Sequence, residues 1–359
     1  MSRSVVIAPD SFKGTATATA VALAIAEGWR SVHPDDDVIV LPQADGGEGT
    51  LDAIEAATPG ARRRSVADVR GPDGRRTTGE WLELPGGAAV VELAQCSGLP
   101  LMATLDPLGA STHGLGDVIA AALAAGATSL VIGLGGSAST DGGAGALEAL
   151  GLRLLDATGS PLAAGGGALA TLDRVDATAL VTPPPGGVTL LTDVDSPLLG
   201  PTGAAAVFGP QKGATPAQVA ELDAALERFA LVVGGDPVPP GSGAAGGTAF
   251  GFVNLWGAVI EPGSRRLAAL SGLPRAIEGA DVVITGEGRL DSQSFSGKTV
   301  GTIVSLAAGR SIGIVAGSVD IATEHWTASL TEIAGSTEAA MASPSAWLRT
   351  AGVRAAHEL

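Results

Sequence analysis

The strongest constraint on this chain is an alternation of short apolar runs with helical patterns, the mark of strands and crossover helices in an α/β fold built on parallel sheet. The runs that qualify as buried strands are Val5–Ala8, Val38–Leu41, Leu130–Ile132, Thr189–Leu191, Val282–Thr285 and Ile312–Ala316. Between the first two, Val21, Ile25, Trp29 and Val32 recur at helical spacing, and Pro34 follows the expected end. Thr215-Pro216-Ala217-Gln218 announces another helix, with Thr215 as cap, Pro216 in first position and Gln218 closing a capping box. Its buried face would be Val219, Leu222, Leu226 and Phe229. A further helix is expected after Ser296-Gly297-Lys298-Thr299, burying Val300, Ile303, Val304 and Ala307 and stopping at Gly309. Residues 62–93 differ. Val66, Val69, Trp81, Leu82 and Leu84 lie in broken period-two segments around the turn Pro72-Asp73-Gly74, and Ala88–Leu93 continues them after Pro85-Gly86-Gly87. This stretch reads as a β-rich meander belonging to a second domain.

Length supports two domains, since 359 residues compares with roughly 150 per domain. With 45% apolar and 16% charged residues the chain has a large core, and 3% aromatics make that core aliphatic. The net charge of −16 argues against nucleic acid as a partner, because phosphate backbones need clustered cations. The run Arg62-Arg63-Arg64 reads as a solvated turn or strand end. Cys96 is the only cysteine, which excludes an intrachain disulfide and a cysteine zinc site and leaves a packed thiol. Val5–Ala8 is too short for a signal-peptide core, and no apolar run approaches the ~20 residues that span a bilayer. The expectation is a cytoplasmic protein with no membrane partner; an oligomer is possible, but nothing in the sequence points to one.

The chemistry is concentrated in glycine-rich motifs. Only three lysines occur, Lys13, Lys212 and Lys298, and each stands in such a motif: Pro9-Asp10-Ser11-Phe12-Lys13-Gly14, Gly209-Pro210-Gln211-Lys212-Gly213 and Gly297-Lys298-Thr299. A compact ammonium suits phosphate where a planar guanidinium does not fit. Asp45-Gly46-Gly47-Glu48-Gly49 and Asp141-Gly142-Gly143-Ala144-Gly145 repeat one pattern between a strand and a helix, where backbone N–H groups can face an anion or the aspartate can cap the helix. The segment Gly133–Gly143 is a glycine and hydroxyl-rich anion cradle, but Ala138 breaks the dinucleotide fingerprint. Ser292 likewise breaks a Walker A reading of the loop that ends at Lys298-Thr299. Asp193 and Asp195, spaced i and i+2 just past a strand, would share one face if the chain stays extended, and that face suits Mg²⁺ or a general base. No histidine pair has metal-ligand spacing, and no nucleophile elbow is present. Cradles, isolated lysines and carboxylates without a redox group favour phosphoryl transfer, in which catalysis is positioning and charge stabilisation.

These motifs, together with Gly135-Gly136-Ser137-Ala138, Val207–Ala214, Ala244-Ala245-Gly246-Gly247 and Thr285-Gly286-Glu287-Gly288-Arg289, resemble the bacterial glycerate kinases of the first type, in order from residue 5 to about 318. Departures are small: Thr140 and Ser196 stand where the family often has Asn. The resemblance implies ATP- and Mg²⁺-dependent phosphorylation of glycerate. Members usually give 2-phosphoglycerate, with 3-phosphoglycerate as the other product. It also implies two unequal α/β domains, a flavodoxin-like parallel-sheet domain and a mixed domain inserted in it, placed here at 1–61 plus 280–359 and at 62–279. The competing readings are a kinase for another small hydroxy acid and a non-catalytic organic-acid-binding protein of the same fold.

Within these motifs Lys13 and Asp193 are the expected catalytic residues: Lys13 for charge on the moving phosphoryl group, and Asp193 as the base best fixed at a strand end. Substrate contacts are expected from Asp10, Ser11, Asp45, Gly46, Gly47, Asp141 and Arg289. Nucleotide and phosphate contacts are expected from Gly135, Gly136, Ser137, Lys212, Lys298 and Thr299. Asp195 and Glu287, the latter placed in a loop between glycines, are the expected metal ligands.

Overall fold

The computed structural model describes residues 2–295 and 297–359; Met1 and Ser296, the latter at the expected lead-in to a helix, lie outside the described residues. In chain order the strands are β1 (Ser4–Ile7), β2 (Asp37–Val40), β3 (Arg62–Arg70), β4 (Arg76–Glu83), β5 (Ala88–Glu92), β6 (Ser129–Gly133) and β7 (Arg153–Leu155). They continue as β8 (Arg174–Asp176), β9 (Val188–Leu191), β10 (Val259–Glu261), β11 (Val282–Leu290), β12 (Ser311–Val319) and β13 (Trp326–Ser329).

One compact unit comprises Met1–Asp45, Asp52–Pro59 and Pro262–Leu359. Its sheet is parallel throughout, in the order β13-β12-β11-β1-β2. Counted within the unit this is 2-1-3-4-5, the flavodoxin-like order, whose reversal point opens a crevice at the carboxyl ends of β1 and β11. β1 shows why its sequence is apolar without a break. Val5 and Ile7 join one core layer with Val21, Ile25, Trp29 and Leu348, while Val6 packs into the opposite layer with Leu273, Ile277, Val300 and Ile303. The expected boundary at 280 therefore moves to Pro262: Ala268, Leu273 and Ile277 lie in this second layer, so residues 262–279 belong with the first sheet.

The other unit comprises Gly46–Leu51 and Gly60–Glu261. Its sheet runs β10-β9-β6-β5-β4-β3, parallel from β10 to β5 and antiparallel from β5 to β3. The antiparallel part is the meander that the period-two pattern predicts. Arg63 and Arg64 pair across it with Glu80 at 3.1 Å and Glu83 at 2.6 Å, the solvated strand end expected of the arginine run. The helix Pro216–Val233 carries the expected capping box of Thr215 and Gln218, and Leu222, Leu226 and Phe229 are buried along it. Cys96 is fully buried, and burial pushes its thiol up to about 12, so it is a packing residue. Among the described residues no helix is long and apolar enough to cross a membrane.

β11 departs from expectation. The segment Gly286–Leu290 reads as a loop because of its glycines, yet it extends the strand and pairs with β12 as far as Leu290 opposite Val319. The glycine at 286 is required by contact: a Cβ there would lie 2.1 Å from the Val315 carbonyl oxygen. Gly286→Ala is accordingly expected to lower unfolding stability by about 1–3 kcal/mol, the range for overpacking a tight interior, as read from the urea midpoint; an unchanged midpoint would mean that the two strands separate freely.

Candidate active site

The crevice at the reversal point of the first sheet holds most of the expected charged residues. Asp10 lies just past β1, where its N–H donates to the Gly286 carbonyl at 2.8 Å. Its carboxylate accepts from the Ser11 N–H at 2.6 Å and from the Thr299 hydroxyl at 2.8 Å. Only 8% of Asp10 is exposed. Burial first, and then the charge of Asp45, push its carboxyl up to about 7, against the opposing effects of the Thr299 and Ser11 bonds and Lys13. The Lys13 side chain is 68% exposed, with Nζ 3.8 Å from an Asp45 carboxylate oxygen. Glu287 projects from β11 and is raised above the usual carboxylate range by burial, opposed by the Ser294 hydroxyl, Lys298 and Lys13. Arg289, further along β11, pairs with Asp320 at 2.6 Å. Asp10, Ser11, Lys13, Asp45, Glu287, Arg289, Lys298 and Thr299 all line one cavity of about 490 Å³. Two of its oxygens, Ser11 Oγ and Glu287 Oε1, are buried with no hydrogen-bond partner.

Part of this cavity was not visible in the sequence. Ser318, Thr331, Thr337 and Met341 line it from the end of β12 and from the C-terminal helices. None of them stands in a glycine-rich motif; the signal that could have found them is the fold rule that ligands collect at the carboxyl ends of parallel strands.

The second unit gathers the remaining candidates around the carboxyl ends of β6 and β9, and here several expectations change. The Gly135 N–H donates to the Gly46 carbonyl at 3.0 Å, and a Cβ on Gly135 would lie 2.4 Å from the Gly47 Cα. These glycines let two backbone segments touch. Gly46 and Gly47 are buried in that contact, and of this set Gly136 is the exposed one. Lys212, expected to reach phosphate, is only 2% exposed. Its ammonium donates to Ser137 Oγ at 2.9 Å and to the Ser139 carbonyl. Burial lowers it to about 8, with Asp141 opposing. Lys212 is thus an internal cation for the 137–139 loop and lies outside the cavity that Lys13 and Lys298 line. Asp141, expected to touch substrate, is fully buried. It accepts from the Thr112 N–H and hydroxyl, both at 2.8 Å, and from the N–H groups of Gly143 and Gly145, both at 3.2 Å. Gly143 is the N-cap of the following helix, and Asp141, two residues earlier, serves the N–H groups of its start. Asp193 and Asp195 lie beyond β9 in irregular chain, Asp193 half-buried and Asp195 exposed, so the single shared strand face does not form.

Residues 5–359 match the model of the glycerate kinase family. A glycerate 2-kinase of Escherichia coli (strain K12) is 43% identical over 303 residues, covering 82% of this chain and 79% of that one. A glycerate kinase of Halalkalibacterium halodurans is 44% identical over 305 residues, covering 82% and 80%. The chain belongs to the glycerate kinase family. The crystal structure of a putative glycerate kinase 2 from Salmonella typhimurium LT2 superposes with a TM-score of 0.82 at 37% identity, covering 99% of this chain and 98% of that one. Membership of a kinase family implies ATP as co-substrate, and the crevice of the first unit, with Lys13, Lys298 and Arg289 around buried carboxylates, suits phosphate oxygens.

Two outcomes follow for a glycerate kinase family member built this way. Lys212→Met should lower stability by roughly 2–3 kcal/mol, because it removes charged hydrogen bonds from buried acceptors, and denaturant unfolding would read the loss directly. A lysine acting only on ligand would instead leave the midpoint unchanged and weaken ATP binding. For Asp10, the folded pKa of about 7 lies above the ordinary 3.8. The unfolded chain then releases this proton first, so the stability contribution is full below about pH 4 and is lost as pH rises towards 7. Asp10→Asn keeps the shape without the charge. Its melting temperature relative to wild type should rise across that window and stay level below it; a flat difference from pH 4 to 8 would show that Asp10 ionises normally.

Proposed function

We propose that this protein transfers the γ-phosphoryl group of ATP to the 2-hydroxyl of glycerate, giving 2-phosphoglycerate and ADP. The bond from the terminal phosphorus to the bridging oxygen of ADP breaks as the bond to the substrate hydroxyl oxygen forms, and the hydroxyl proton passes to a carboxylate. The observation that carries this reading is the crevice at the β1–β11 reversal point, where Lys13, Lys298 and Arg289 line one cavity with the carboxylates of Asp10, Asp45 and Glu287, in a chain of the glycerate kinase family. The choice of the 2-position is supported by the Escherichia coli relative, whose name specifies a 2-kinase.

The Lys13 side chain is 68% exposed and lines the crevice beside Asp45, a position that suits charge developing on the transferred group. Asp10, buried at the crevice wall with Ser11 beside it, is placed to hydrogen-bond glycerate. Asp193 is the proposed base, directly past β9 and half-buried. The unpaired Glu287 oxygen and the nearby Asp45 carboxylate are hard oxygen donors that fit Mg²⁺. Among the described residues no three such groups converge into a ready-made cage, which agrees with an ion that keeps waters and phosphate oxygens as ligands. Bound there, the ion would neutralise charge on the phosphate oxygens.

Purified protein is expected to form ADP from ATP only with glycerate and a divalent cation present, and ³¹P NMR of the product should show a 2-phosphate. Lys13→Met should reduce turnover ~10²-fold or more, as for loss of one preorganised donor, with unfolding unchanged. Asp193→Asn should abolish turnover while ATP and glycerate still bind in calorimetry; near-normal turnover would pass the role of base to Asp45.

A further inference from the structure

The first unit carries a second cavity of about 520 Å³, formed by the helices Gly263–Leu270, Leu273–Glu278 and Thr299–Leu306 together with Phe295 and Gly297. Its lining is unlike that of the first cavity. Arg265 is its single charged residue, and Ala268, Pro274, Phe295 and Leu306 give it apolar walls. Phe295 is 37% exposed and Leu306 39% exposed, so two of the large apolar side chains left at the protein surface lie in one groove. The Ser264 hydroxyl donates to the Gly297 carbonyl at 2.8 Å and lies 2.9 Å from the Thr302 hydroxyl, and the helix at Gly301 packs directly on the backbone of Phe295.

The two cavities meet at one short stretch of chain. Gly297 lines the apolar cavity, whereas Lys298 and Thr299 line the charged one. Two peptide units span at most about 7 Å, less than the length of a nucleoside triphosphate. We propose that the groove between Phe295 and Leu306 is the subsite for the adenine base of ATP, from which the phosphates cross the Gly297–Thr299 stretch into the charged crevice. The division of chemistry supports this choice of occupant. A flat, uncharged ring gains from an aromatic and an aliphatic wall, with the Ser305 hydroxyl available at the rim. Glycerate has no apolar face to place there. Arg265, an exposed residue of the lining, is suited to stacking on the ring or to a ribose oxygen. The subsite rests on the kinase reading above.

The test compares ATP with inorganic triphosphate, which has the charge but no base, using calorimetry of full-length protein in Mg²⁺ buffer. Ser305 is exposed, so Ser305→Trp should fill the groove without disturbing the core. Phe295→Ala removes one wall instead. ATP affinity should fall about tenfold in Ser305→Trp and roughly fivefold in Phe295→Ala, the scale of one aromatic contact, while triphosphate binds both variants as it binds wild type. ATP binding equal to wild type in both variants overturns the subsite, as does an equal loss for ATP and triphosphate. Binding is read without turnover, so the two readings separate. Wild-type protein that uses this groove for ATP but does not phosphorylate glycerate sinks the kinase reading alone, and an active enzyme indifferent to both variants sinks the groove alone.

Discussion

The hydrogen bond from the Thr299 hydroxyl to the Asp10 carboxylate links residues 289 apart in sequence, and the charged crevice depends on it. It fastens the exit of β1 to the first turn of the helix Thr299–Leu306, while the Asp10 N–H fastens the same residue to β11 through Gly286. Three elements are therefore fixed at one point, and Lys13, Glu287 and Lys298 are each only a few residues from it. A carboxylate there is buried beside another carboxylate, and both effects push its carboxyl up to about 7. The protein accepts that electrostatic cost at the wall of the charged crevice. Such strain concentrated at one crevice is characteristic of a site rather than of a core.

Polar groups in the second unit do different work. Glu92 is fully buried and accepts from the N–H groups of Gly49 at 3.2 Å and Leu51 at 3.1 Å. Asp141 serves the start of one helix, and Lys212 binds oxygens of the 137–139 loop. In each case an interior charge replaces the regular ladder or cap that glycine-rich chain cannot supply for itself. The motifs of this unit look like ligand cradles in sequence because both purposes need glycines beside polar side chains. Burial separates them, and burial is a property of the fold.

That ambiguity marks how far the sequence could be read. Continuous apolar runs identified β1, β6 and β9 because a strand covered on both faces has no polar side to interrupt it. The cap at Thr215 was legible because its signal is entirely local. The extension of β11 through Gly286 was not, since the reason for that glycine is a carbonyl on the neighbouring strand. Within the charged crevice, the residues in motifs were legible and the walls supplied by Thr331 and Met341 were not, because their role depends on where distant helices end.

The parallel pairing of β1 with β11 has a consequence for how the molecule is made. Val5 lies opposite Val282 and Ile7 opposite Ile284, with the whole second unit encoded between them. As synthesis proceeds from the N-terminus, the β2 edge of β1 and its layer with Val21, Ile25 and Trp29 are available early, whereas the β11 edge must wait until more than two hundred further residues have been added. The second unit, nearly continuous in sequence, can bury its own core during that interval. Long-range parallel pairing is slow to form and prone to aggregation while unpaired. The reversal point at which the charged crevice lies is thus completed late, and nascent chains of this protein carry an unpaired β1 edge until β11 is made.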